Sequence, residues 1–153
     1  GIRLEAWILH ALGRSDEARA RLAAFPDRDA GLEGLLGFFD FFAGDHIAAR
    51  ARLETAGVGS RAFHLRILGD IAASAGDRPL ACRLYGERLA ANPADRTTRV
   101  NLAHVCLLEG DLDGADAALA PLFAAGAPPP GDGRAQALRK KIDAHRRLHA
   151  AEA

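Results

Sequence analysis

The side chains here that could bind a metal or attack a substrate are His10, His46, His64, His104, His145 and His149, with Cys82 and Cys106. Only His145 and His149 stand one helical turn apart, the spacing that lets two imidazoles share a zinc ion. No third ligand accompanies them, and neither cysteine belongs to a CxxC or Cys/His zinc pattern, so no metal and no cofactor is expected. Cys82 and Cys106 fall at core-facing or small-residue positions, where a thiol acts as a compact hydrophobe. They are too few for a disulfide framework, which points to a reduced, cytoplasmic setting. Asp27 with Asp29 and Asp111 with Asp113 offer paired carboxylates, yet both pairs fall in loops or helix starts, where solvated acids are ordinary. No glycine-rich phosphate loop follows a strand and no G-x-S-x-G elbow occurs. The expectation is a protein that is not an enzyme.

The elements that carry these residues are helices. The 153 residues suffice for one domain with a substantial core. They include 34 Ala but only three Val and one Tyr, with no period-2 run of β-branched residues. Twenty basic and twenty acidic side chains cancel, so the field that drives phosphate-backbone binding is missing and nucleic acid is not expected as a partner. Apolar stretches break well short of a span of about 18 residues, so no membrane association is expected. Arg exceeds Lys by 18 to 2, which suggests a GC-rich, bacterial genome. The start at Gly1, without Met, reads as an excised region.

One spacing organises the whole chain. Gly69, Gly76-Asp77 and Ala81 recur as Ala103, Gly110-Asp111 and Ala115, a shift of 34 residues. Gly37, Gly44-Asp45 and Ala49 keep the same offsets, and Ala6, Gly13-Arg14 and Ala18 repeat them again. A glycine in the left-handed conformation can end one helix, and the aspartate after it can start an antiparallel second one. Small residues at matching places let the two backbones approach closely. Phe25-Pro26-Asp27, the run 57–60 and Asn92 to Asp95 are breaker clusters between hairpins. The run 126–133 reads as a linker, and residues 134–150 as a last helix with Ala135, Leu138, Ile142 and His145 or His149 on one stripe.

This pattern resembles the tetratricopeptide repeat family, whose unit is about 34 residues long. Residues 62–95 carry it best, with Leu65, Leu68, Gly69, Ala81, Tyr85 and Pro93 at the family's positions. The first two units, spaced by 31 and 32 residues, read as degenerate. The resemblance implies an all-α, right-handed solenoid of about four hairpins over residues 1–129, with residues 130–153 as the capping helix of the same domain. It implies a scaffold that holds a peptide or protein segment along the first helix of each hairpin. Mapped on this chain, that surface offers Trp7, then Phe38, Phe41 and Phe42, then Phe63, Arg66 and Asp70, then Asn101 and His104. The lysine and asparagine set that captures acidic chaperone tails is incomplete. Self-association is a further expectation. So is service as the accessory or regulatory repeat region of a larger enzyme or secretion-type assembly.

Overall fold

The computed structural model describes residues 1–56, 58–124 and 133–152, with the side chains of residues 58–63 outside the description. Its regular elements are α1 (Ile2–Ala11), α2 (Ser15–Ala24), α3 (Ala30–Phe42), α4 (His46–Thr55), α5 (Val58–Ser74), α6 (Arg78–Ala91), α7 (Arg96–Leu108), α8 (Leu112–Phe123) and α9 (Gly133–Glu152). The all-α class follows the composition, and the helices alternate as the spaced glycines require. The linker expected at 126–133 lies outside the described residues except for Gly133, which opens α9.

Each first helix ends in the same way. Gly13, Gly44, Gly76 and Gly110 have φ between 75° and 83°, a region that any side chain would strain. Their amides donate back to His10, Phe41, Ala73 and Leu107, and the next amide reaches the carbonyl one residue earlier, as from Asp45 to Asp40 O at 2.9 Å. These bonds satisfy carbonyls that a helix end otherwise leaves orphaned. In three turns that next residue is an aspartate whose carboxylate accepts the amide three residues on: Ala48, Leu80 and Gly114. Arg14 replaces it in the first turn, and α2 has no side-chain cap. Asp29 and Asp95 cap α3 and α7 by the same chemistry.

The chain divides into two compact units, residues 1–71 and 72–153. In the first, Ala6, Ala18 and Ala49 are buried at the predicted close contacts, and Leu22, Leu36, Phe39 and Leu53 fill the space around them. A Cβ on Gly37 would lie 3.0 Å from Leu53 Cγ and 3.1 Å from Arg52 Cβ, so α3 and α4 meet so closely that any side chain there would force its neighbours to give by a few tenths of an ångström. A Cβ on Gly34 would collide with the imidazole of His64, which α5 lays across it. Burial lowers the pKa of that imidazole from its ordinary value.

Asp40, inside the run Phe38-Phe39-Asp40-Phe41-Phe42, is buried. Arg19 Nε of α2 donates to its Oδ1 at 2.6 Å and Arg52 Nε of α4 to its Oδ2 at 2.9 Å. Arg52 also reaches Glu33, which Arg28 holds at 2.6 Å while bonding the carbonyls of Ala23 and Phe25. One carboxylate therefore ties three helices together. Burial of an acid with two hydrogen-bonded partners is tolerable, whereas either partner alone would be costly.

In the second unit Ala81, Ala103 and Ala115 are buried, and α9 lays Ala135, Leu138 and Ile142 on α7 and α8 around Leu119 and Leu122. Arg139 and Arg146 bind Asp116, and Arg146 also binds Asp113 at 3.0 Å. The apolar stripe stops at Ile142. His145 and His149, expected on it, are exposed, because α9 runs on past its contact with the preceding hairpin. Cys106 and Cys82 pack together in this core; burial raises the pKa of both, that of Cys106 to about 12. Neither is poised as a nucleophile.

Three outcomes follow. Asp40→Ala should lower stability by roughly 2–3 kcal/mol in urea melts, short of a fully buried pair because Arg19 and Arg52 can rehydrate. Arg50→Ala, which loses the exposed pair with Glu54, should cost under about 0.5 kcal/mol. The lowered pKa of His64 means that the unfolded imidazole takes a proton which the folded one refuses. Stability should fall as pH drops below about 6.5, and His64→Gln should flatten that slope in melts across pH 5–7.5. His104, whose pKa is lowered by burial and then by Arg134 and Lys141, adds to the slope with the same sign.

Candidate partner-binding surface

In the first unit the first helices α1 and α3 bring their aromatic side chains together. Trp7 lies one residue after Ala6, and Phe38 one residue after Gly37, so both occupy the same place in their hairpins. Their ring centroids are 5.1 Å apart, and Phe38 meets Phe42 at 4.6 Å. His10 touches Phe38, Phe39 and Phe42, with its Nδ1 2.8 Å from Ser15 Oγ. The edges of this cluster face solvent: Trp7 is 38% and Phe42 53% exposed, whereas Phe38 is 8%. Phe38 and Phe39 thus form a floor that holds Trp7 and Phe42 in place. Phe41 turns aside, half-buried and stacked on His46 of α4 at 5.2 Å.

The four aromatics of α3 therefore divide as helical geometry requires, two inward and two outward, with buried Asp40 between them. Sequence reading assigned Asp40 no role. Its two arginine partners come from positions 21 residues before and 12 residues after, which no local pattern reveals.

Also in the first unit, Arg66 and Asp70 of α5 form a pair at 3.2 Å, both partly buried. They present a cation and an anion a single turn apart. The side chain of Phe63 lies outside the described residues. In the second unit His104 is exposed on α7, and Arg134 of α9 donates to Asn101 Oδ1 at 3.2 Å. The cap helix thus supplies a cation beside the predicted polar rung, a contribution that the repeat pattern omits. Among the described residues no group of His, Cys, Asp and Glu could hold a metal ion, and no helix is long and apolar enough to cross a membrane.

A second apolar surface was missed. Leu4, Ile8 and Leu12 line the opposite edge of α1, with Phe25 beside them, in an open groove. Their spacing of four residues was readable; what was not readable is that no described residue covers them.

The family model of the tetratricopeptide repeat matches residues 3–24 and 97–121, the first and fourth hairpins. Those two hairpins match the tetratricopeptide repeat, and the rest of the chain has a similar fold. One of the two matched segments is the first hairpin, which the spacing read as degenerate. Hairpin one keeps Ala6, Ala18 and Leu22 buried in register despite its shorter spacing. Among solved structures, MamA MSR-1 C2 shares 19% identity at a TM-score of 0.77, over 98% of this chain and 87% of its own. A tetratricopeptide repeat protein from Parabacteroides merdae ATCC 43184 shares 15% identity at a TM-score of 0.71, over 94% of this chain. This chain spans 59% of that protein's length. A further MamA structure shares 18% at a TM-score of 0.64, over 87% of this chain and 73% of its own. No curated protein matches the sequence.

The floor and the edge of the aromatic cluster should separate in mutagenesis. Phe38→Ala should cost about 3 kcal/mol or more of stability, as buried phenylalanines do. Phe42→Ala should cost about 1 kcal/mol or less, since half of its surface stays in water when folded; paired denaturant melts decide between them.

Proposed function

We propose that this tetratricopeptide repeat chain is a non-catalytic scaffold that holds a peptide or protein segment along the first helices of its hairpins. The observation that carries this reading is the exposed pair Trp7 and Phe42, seated on Phe38 and Phe39. Large aromatics left in water cost hydration free energy, and a contiguous patch of them marks a contact surface. The floor beneath holds the rings in fixed positions, so a partner loses little side-chain entropy when it docks.

The polar rungs supply direction. Arg66 with Asp70, and Asn101 with His104, offer donors and acceptors suited to a peptide backbone. Phe41 and Phe63 complete the proposed set. Residues 1–129 serve as the array in this reading, and residues 130–153 as its cap.

A pull-down from the source cell would identify the partner, and titration calorimetry would then measure its affinity. Phe42→Ala should weaken binding by about 1 kcal/mol or more, roughly fivefold, with Arg66→Ala and His104→Ala acting in the same direction. Lys140→Ala and Arg147→Ala, exposed on α9, should leave it unchanged. A partner indifferent to the first three variants, all verified as folded, and lost with the last two would rule the proposal out.

A further inference from the structure

The place one residue after the small residue of each first helix holds Trp7, Phe38, Asp70 and His104. In the third hairpin that place supplies an anion, and Asp70 pairs with Arg66 of the same helix at 3.2 Å. In the fourth hairpin it supplies none. Helix α7 contains no acidic residue, and the acids at its two ends are already engaged, Asp95 by Arg88 at 2.8 Å and Glu109 by Arg78 at 3.0 Å. Cations gather beside it instead. Arg134 of α9 donates to Asn101 Oδ1, and burial, then Arg134 and Lys141, lower the pKa of His104. Seven residues apart, these two cations share one side of α9. The side facing α8 is built in the opposite way, since Arg139 and Arg146 find Asp116 and Asp113 there. Among the described residues no carboxylate forms an ion pair with Arg134 or Lys141. Asp143 of α9 lies about 200° around the helix from Lys141, and Glu152 stands beside His149 near its end.

We propose, resting on the reading that a peptide lies along the first helices, that the surface shared by α7 and α9 is an anion-binding rung whose ligand is an acidic stretch of that peptide. Two exposed cations without a counter-charge repel each other, and a carboxylate placed between them relieves the repulsion. The bond to Asn101 holds Arg134 against α7, so its guanidinium is positioned before the ligand arrives, with further N–H groups free for a carboxylate. Lys141 adds a point charge, and the exposed His104 imidazole adds a donor. Spacing narrows the ligand further. The backbones of residues 134 and 141 are roughly 10 Å apart along α9. In an extended segment, side chains two residues apart share a face at about 7 Å, a distance on which the two long cationic side chains can converge. A pair of acids with one residue between them therefore fits the rung. Two cations are too few for a nucleic-acid backbone, whose affinity grows with each phosphate neutralised.

NMR titration of the full, isotope-labelled chain at low salt, with a synthetic peptide carrying Glu-Ser-Glu between glycines, tests this. The peptide should shift the side-chain amide of Asn101 and the ring of His104, and its Gln-Ser-Gln version should not. Arg134→Gln and Lys141→Gln should each weaken binding about fivefold or more, and the double variant should remove it. Lys140→Gln and Arg147→Gln lose the same charge on the far side of α9 and should change the affinity less than about twofold. No shift at Asn101 and His104, equal binding of the glutamine peptide, equal losses at both pairs of positions, or tighter binding of a uridine oligonucleotide would overturn the proposal. Phe42→Ala should leave the affinity for this peptide unchanged. A failure of the rung is therefore separate from a failure of the aromatic surface, which the cellular partner tests through Phe42→Ala.

Discussion

The main-chain amide that closes one helix belongs, in three of the four turns, to the aspartate whose carboxylate opens the next. That double use fixes the angle and offset of a hairpin within four residues, before any distant contact forms. Glycine is obligatory one position earlier, since its φ near 80° places the following amide over the last turn of the helix. Once two helices leave such a turn antiparallel, their nearest residues must be small, and Ala6 with Ala18 or Ala103 with Ala115 satisfy this at full burial. The larger leucines then interlock around a contact they did not have to create.

This locality explains why the backbone organisation was legible from spacing alone. A glycine, an aspartate and an alanine at constant offsets carry their meaning without reference to the rest of the chain. The Asp40 network does not. Between two pairs of phenylalanines an aspartate reads as the solvated position of an amphipathic helix; only folding shows that Arg19 and Arg52 converge on it from both sides. The Cys82–Cys106 contact was hidden for the same reason, being set by how α6 lies on α7 and not by any motif. The misplacement of His145 and His149 has another origin: helical periodicity gives the direction of a stripe but not the point at which its partner ends.

Charge and aromatic surface are arranged on opposite sides of the same helix. The carboxylate of Asp40 anchors α3 to α2 and α4, which fixes the rotation of α3 about its own axis. With that rotation set, Phe38 and Phe39 must point toward α1, and Phe42 is left at the edge. A neutral residue at position 40 would remove this constraint, and α3 could trade exposure among its four phenylalanines. The buried acid thus contributes specificity to the exposed surface even where its net contribution to stability is modest.

The outward faces of the last and the first described hairpins are built differently. At the last one, α9 supplies three buried apolar residues and then switches to charge, with Arg139 and Arg146 bound to Asp116 and Asp113. That helix gains burial on one side and hydration on the other, which is what a terminal layer requires. At the first hairpin the apolar pattern of an interior repeat continues on α1 without such a switch.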